Sequence, residues 1–446
     1  MKQVTIKQGM KHINHIIRPT MMAALMAACS LLSTISAQTV KDHIKKNPAY
    51  ASCNYHIYPD SIDAQLTPAP KGKQPFYISH YGRHGSRYIS NRSGFDEPFM
   101  MMMHADSLDE LTPTGQRVLE VMKQIMNNSE DRWGELTEHG RRQHREIIRR
   151  MAERFPEVLG DTAHVEARST IVPRCILSMG TAMMELAQIN PKLRITMESS
   201  KRTMGYMNYQ DRDLRKIQMS AQAKEAYNKF IANRIGNTRL MELIFKNPDI
   251  VNEIVDEDYF NYYLMKMGLF QVHTPLSKNT YITDIFHIDE LYRLWEVDNA
   301  LWYIRHGACK LNGGTQPYSQ RYLLRQIIAD ADSSIRLPYP SAQLRYGHET
   351  VLLPLVCLIG INGYDLETDD LEKLEAKGWW CPDVFPMGSN VQFIFYRSGP
   401  NDSDILFKVL LNEKEAKLPI RTDCAPYYHW RDFRKHYLKK IDAYKK

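Results

Sequence analysis

Arg83-His84-Gly85-Ser86-Arg87 sets two guanidinium forks around one imidazole within five residues. Arginine forks suit the oxygens of a phosphate, and a histidine between them is a candidate nucleophile. Gly82 and Gly85 bracket the pair and allow a tight turn with close backbone approach. A second stretch, Gly347-His348-Glu349-Thr350, offers another imidazole and a carboxyl able to carry a proton. Taken alone, that pair reads as a capping histidine with a surface glutamate. A third arginine, Arg168, precedes Ser169 between a short strand and a helix, where free backbone N–H groups also favour an anion. Arg174 is the weaker alternative for that position.

These residues need a scaffold, and the sequence supplies one. Phe76 to Tyr81 alternates and is rich in strand formers, so the first motif follows a strand. Ala342 to Tyr346 reads as a strand ending at Gly347, with a leucine-rich helix after it. Two histidines at strand ends are expected if both strands lie in one sheet, since α/β folds bind ligands at the carboxyl ends of their strands. Val165 to Val172 reads as a strand and turn, and Pro173 opens a helix through Met179, Met183 and Leu186. Thr112-Pro113 and Thr137 open two more helices. The second carries Arg141, Arg142, Arg145, Arg149 and Arg150, a run that reads as a solvated face. Met100 to Met103 reads as core or pocket lining. Val391 to Tyr396 and Ile405 to Leu411 read as late strands.

Between residues 200 and 316 the strand signal fades and Tyr, Met, Lys and Asp dominate. Helical patterns cover 221–235, 237–246, 251–268 and 284–304, with Trp295, Trp302 and Tyr303 as apolar anchors. Arg305-His306-Gly307 repeats three letters of the first motif. A helix precedes it, however, Cys309 stands in place of the second arginine, and Gly307 reads as a helix C-cap.

The chain has 446 residues, 43% hydrophobic and 24% charged, enough for a large folded core. Residues 1–37 read as a cleavable secretory signal: four basic residues and no acid, the apolar run Met21–Leu32, then Ser33-Thr-Ile-Ser-Ala37. Met26-Ala-Ala-Cys29 is a weak lipoprotein-like alternative. Without those four, 58 basic residues become 54 against 51 acidic ones, a net charge of +3. So mild a charge gives no reason to expect nucleic acid as a partner, and any attraction for anions is local. Outside the leader no stretch is apolar and long enough to span a bilayer. Six of the 7 cysteines lie beyond the leader. Some can pair in an exported protein, and Cys175 and Cys357 read equally well as buried thiols.

The pentad at Arg83 resembles the RHGxR signature of the histidine phosphatase superfamily, and Gly347-His348-Glu349-Thr350 resembles the Gly-His-Asp-Thr motif of its clade-2 members. The Gly-x-Leu-Thr-x-x-Gly block ending at Gly140 and Met387-Gly-Ser389 with Phe393–Tyr396 match stretches of the histidine acid phosphatases. The resemblance implies an α/β fold: a three-layer core with a mainly parallel sheet over 38–199 and 317–446, and an inserted helical cap domain over 200–316. It implies hydrolysis of phosphate monoesters through a phosphohistidine on His84, with Arg83, Arg87, Arg168 and His348 binding phosphate and Glu349 as proton donor. No metal or cofactor is implied, and the partner is a small phosphate ester, with phytate-like inositol polyphosphates, sugar phosphates and nucleotides all open. Two departures stand out. Glu349 replaces the usual Asp, and Tyr88-Ile89 follows Arg87 where a proline often stands. Multiple inositol-polyphosphate phosphatases also use a glutamate, one position later, in His-Ala-Glu.

Overall fold

The computed structural model describes residues 39–161, 163–232, 234–236, 238–249, 256–274, 276 and 281–444. The leader expected over 1–37, with Cys29, and the first residues of the helix expected over 251–268 lie outside the described residues.

One eight-stranded sheet organises the chain. Its strands are β1 (Gln74–Arg83), β2 (His164–Ser169), β3 (Arg194–Ser199), β4 (Ser341–Gly347), β5 (Asn390–Arg397), β6 (Leu406–Leu411), β7 (Lys414–Ala416) and β8 (Tyr428–His429). The order is β8-β6-β5-β1-β4-β2-β3, with β7 paired to β6. The run β1-β4-β2-β3 is parallel, and β5, β6, β7 and β8 continue the sheet antiparallel on the other flank of β1. Buried central strands read as continuous apolar runs. β1 and β5 are buried on both faces along almost their whole length, although Ser79, His80, Asn390 and Gln392 interrupt their apolar residues.

Parallel pairing fixes which residues share an edge. Arg83 lies opposite Gly347, and Tyr346 lies opposite both Gly82 and Ser169. The residues that follow, His84, His348 and Thr170, therefore stand side by side at one end of the sheet. Backbone bonds hold that end: His84 N–H donates to the Gly347 carbonyl at 2.9 Å, and Thr170 N–H to the Tyr346 carbonyl at 3.0 Å.

Long helices pack on the sheet. α1 (Pro113–Ser129) and α2 (Glu138–Arg154) begin at Thr112 and Thr137, whose hydroxyls accept from the N–H of Gly115 and Gly140. α3 (Pro173–Ile189) follows β2. The arginine run on α2 is matched to carboxylates: Arg141 and Arg145 to Glu138, Arg142 to Asp60, Arg149 to Glu146 and Glu185, Arg150 to Glu413. Met101 and Met102 are buried, while Met100 and Met103 are exposed.

Between β3 and residue 321 the described chain is mainly helical, including α4 (Glu257–Gln271) and α5 (Ile288–His306). Trp295 and Tyr303 are buried there, in one apolar cluster with Val351, Met387 and Phe433. The helical segment thus packs continuously onto the sheet's own helices. These include α6 (Arg321–Ser334), α7 (Glu349–Ile359) and α8 (Trp430–Ala443). Cys53 and Cys381 form a disulfide, whereas Cys175, Cys309 and Cys357 are free and buried and Cys424 is free and half-buried. Among the described residues no helix is long and apolar enough to cross a membrane.

Candidate active site

The loop after β1 is held from below by close backbone packing. A Cβ on Gly85 would lie 2.5 Å from the Gly140 carbonyl oxygen, and one on Gly140 would lie 2.2 Å from that of Ser86. Only glycine fits at either position. Ser86 N–H donates to Gln143 Oε1 at 2.8 Å, and the Ser86 carbonyl accepts from Thr137 N and Oγ1. The N-terminus of α2 therefore supports the motif loop.

The His84 ring is fully buried. Its Nδ1 lies 2.9 Å from the Gly85 carbonyl oxygen. A carbonyl only accepts, so Nδ1 carries the proton and Nε2 keeps its lone pair. Nε2 is buried without a hydrogen-bond partner and sits 3.5 Å from Glu349 Oε2. Burial holds the imidazole well below its usual 6.5; the Glu349 carboxylate pulls it up but does not overcome burial, to which Arg174 and Arg83 add. It is neutral without help from a base.

Around it lie three guanidinium groups, each with a buried N–H that has no partner: Arg83 Nη2, Arg87 Nε and Arg174 Nε. Arg83 donates from Nη1 to the Phe385 carbonyl at 2.6 Å and from Nε to Glu349 Oε2 at 3.1 Å. Burial pushes it down to about 10. Arg87 donates to the Tyr88 carbonyl and lies 5.6 Å from the centre of the Tyr55 ring.

His348 caps α7, with its ring 5.8 Å from that of His84. Its Nε2 lies 3.1 Å from Thr170 Oγ1, and burial lowers it to about 4. Burial pushes the Glu349 carboxyl up, but Arg83, His84 and Arg87 outweigh it and hold the group well below its usual 4.5. At rest it is a carboxylate.

Of the expected site residues, the fold brings Arg83, His84, Arg87, His348 and Glu349 together. Arg168 is placed elsewhere, and that expectation is corrected. Arg168 lies inside β2, opposite Arg345, two residues before the strand-end position of Thr170. Its guanidinium meets Glu166 at 2.8 Å, Glu198 at 3.5 Å and Asp330 at 3.9 Å. Arg174, in the first turn of α3 and so past the strand, supplies the third cation. Its charge acts on Arg83, His84 and His348. Pro173 was the available signal: a proline at a helix start puts the next residue at the exposed N-terminal turn.

A cavity of about 690 Å³ opens over this cluster. Arg87, His348 and Thr350 line it from the sheet side, and Arg215, Arg305 and His306 from the helical segment. The look-alike Arg305-His306-Gly307 is thus no second catalytic loop, yet it contributes to the wall. Gly307 caps α5 with extended backbone, φ −84° and ψ −179°. Its need for glycine is spatial, since a Cβ would come within 2.8 Å of the Tyr303 ring. His84, His348 and Glu349 are close enough to hold a metal ion. A cation there would face Arg83, Arg87 and Arg174, so the charge of the site suits an anion.

The sequence model of the family described as histidine phosphatase superfamily, branch 2, matches residues 82–412. Among solved structures, a multiple inositol polyphosphate phosphatase of Bifidobacterium longum in complex with phosphate is similar, with a TM-score of 0.73 at 16% identity, covering 88% of this chain and 98% of that one. A phytase from D. castellii gives 0.62 at 14% identity, covering 89% and 85%. An apo Hafnia alvei phytase gives 0.52 at 13%, covering 83% and 98%. At such identities the likeness is one of fold. No curated protein matches the chain.

Proposed function

The chain belongs to the histidine phosphatase superfamily, branch 2, and is thereby a phosphatase; from that premise we propose that it is an exported phosphomonoesterase that works through a phosphohistidine on His84 and takes inositol polyphosphates. One observation carries the reading. His84 Nε2 is buried, neutral and unpartnered beside three arginines that each keep an unpartnered N–H. A buried polar atom without a partner is costly, and three such N–H donors on electrostatically coupled arginines beside one free imidazole nitrogen suit an anion presented to a nucleophile.

The reaction has two displacements. His84 Nε2 forms a bond to phosphorus as the ester P–O bond breaks, and Glu349 gives its proton to the departing alkoxide. Water then attacks phosphorus, Glu349 takes the water's proton, and the P–N bond breaks to release phosphate. Arg83, Arg87 and Arg174 offset the charge on the equatorial oxygens, and His348 donates to one of them. The N-terminus of α7 adds its partial positive charge. Glu349 must be protonated for the first step, although Arg83 keeps it ionised at rest. An arriving phosphate dianion engages the arginines and raises the carboxyl by like charge.

The substrate class rests on the cavity wall. Arg215 and Arg305 line it, and neither side chain forms an ion pair with a described residue. Two cations with no ion pair among the described residues, beyond the reacting phosphate, suit a substrate with further phosphates. The similar solved proteins include one in complex with inositol hexasulfate. Lys201, Arg202, Arg212 and Lys216 do not line the cavity, and Arg202 pairs with Glu198. We take 200–316 as an inserted cap that carries this wall. Export rests on the leader pattern of residues 1–37 and on the Cys53–Cys381 disulfide, which fits an oxidising compartment.

The test is phosphate release from inositol hexakisphosphate, an aryl phosphate and a sugar monophosphate, from acid to neutral pH. The reading expects the highest kcat/KM on the hexakisphosphate. Equal or better turnover of the simple esters would remove the substrate class, and no turnover of any would remove the hydrolase.

A further inference from the structure

His273 follows α4, 187 residues from the motif loop it touches. Its ring is 1% exposed. Nε2 lies 2.6 Å from the Tyr55 carbonyl oxygen, which can only accept, so Nε2 carries the proton. Nδ1 must therefore accept, and at 2.9 Å it takes the hydroxyl proton of Ser86. Burial lowers the ring to about 3, so it is neutral near neutral pH, and its two hydrogen bonds set the tautomer.

Ser86 and Tyr55 are the two flanks of Arg87. Ser86 is the residue before it, and the Tyr55 ring lies under its guanidinium. The sheet side already pins the Ser86 backbone through Gln143 and Thr137. It leaves the Ser86 hydroxyl and the Tyr55 carbonyl to be held from the helical segment. Tyr55 follows Cys53, whose disulfide to Cys381 ties that strand of chain to the core.

We propose that His273 is a positioning residue for phosphate binding: by bridging Ser86 and Tyr55 it fixes Arg87, and so makes the helical segment part of the phosphate cradle as well as its cover. This rests on the reading of Arg87 as a phosphate ligand. A buried histidine that touches no substrate but spans both supports of a ligand arginine sets that arginine's geometry. Displacements of about 1 Å at such a site cost on the order of a hundredfold.

The experiment compares full-length wild type with His273→Ala, Ser86→Ala, the double variant and His273→Gln. It reads thermal midpoint, kcat, KM and inhibition by inorganic phosphate. His273→Ala should keep a cooperative thermal transition, weaken phosphate inhibition roughly tenfold and lower kcat/KM by at least as much. The double variant should be within about twofold of His273→Ala, because both changes break one link. Glutamine carries a donor and an acceptor about as far apart as the ring nitrogens, so His273→Gln should recover most of the loss. Unchanged phosphate inhibition in folded His273→Ala, or fully additive losses, would overturn the proposal. If His273→Ala does not fold, Ser86→Ala alone must show the weakened inhibition, and wild-type values there overturn it. If wild type hydrolyses no ester, the hydrolase reading fails separately, and calorimetric phosphate affinity in the same variants still decides the role of His273.

Discussion

Arg83 Nε and Glu349 Oε2 lie 3.1 Å apart, joining the ends of two adjacent parallel strands across 266 residues of chain. The same carboxylate oxygen is 3.5 Å from His84 Nε2. In the resting site, then, the proposed acid is an ionised partner of a proposed phosphate ligand. Substrate must compete for Arg83, and in doing so it prepares Glu349 to hold a proton. Binding and acid activation are coupled through one ion pair.

Glu349→Gln keeps an acceptor for Arg83 but has no proton to give. For a poor alkoxide leaving group kcat should fall by about 10²–10⁴-fold. For an activated aryl phosphate, whose phenolate leaves without help, the first step should fall far less. Steady-state rates on both ester types check this, and an equal loss on both would contradict the acid role.

The two third-arginine candidates separate cleanly. Arg174→Ala should lower kcat/KM by roughly 10²–10³-fold, as expected when one stabilising donor is removed. Arg168→Ala should leave kcat/KM nearly intact and cost about 1–3 kcal/mol of stability, because it strips a partly buried cation from Glu166, Glu198 and Asp330. Kinetics and denaturant titration of both variants test the assignment. A large kinetic loss in Arg168→Ala would reverse it.

The pH profile of kcat/KM follows from the two shifted groups. His84 lies well below 6.5, so falling pH does not remove the nucleophile near that value. Glu349 lies below 4.5 in the free site, so its protonated fraction shrinks as pH rises. Activity should therefore climb toward acid with no acidic limb near pH 6.5. A limb there that shifts with His84's surroundings would argue against a neutral resting imidazole.

Stability sets the opposing limit. His56 and His348 fall to about 4, and His80, His144, His273 and His306 to about 3, burial being the main cause in each. Each folded value lies below the unfolded one, so the unfolded chain binds more protons in that window. The stability these groups contribute is complete above pH 6.5 and is lost as pH falls toward 4 and then 3. Each can remove at most about 1.4 kcal/mol per pH unit, so even a modest part of that bound, taken over these groups, is a loss on the order of several kcal/mol. The thermal midpoint should drop steeply between pH 6.5 and 4; a constant midpoint would contradict buried neutral imidazoles.

Local signals made the motif strands readable. β1, β4, β5 and β6 announce themselves through dense strand formers, and His84 and His348-Glu349 sit at readable strand ends. The sequence does not separate Arg168 from Arg174 because nothing local marks where β2 stops; its pairing with β4 decides that and carries the strand to Ser169. β3 carries no strand signal because this edge strand buries neither face and so lacks alternation. The Cys53–Cys381 bond and the His273–Ser86 contact join residues far apart in sequence, and only the packed chain specifies them. The helices of 221–306 were legible from periodicity, but not that Arg305 would reach the cavity wall.

The central claim is a covalent phosphate on His84. Rapid quenching of the wild-type enzyme with radiolabelled phosphate ester should give one label per chain. The label should be stable in base and lost in acid, map to the peptide containing His84, and be absent in His84→Ala. An unlabelled enzyme at full turnover, or a His84→Ala variant that still hydrolyses the ester, would contradict the account.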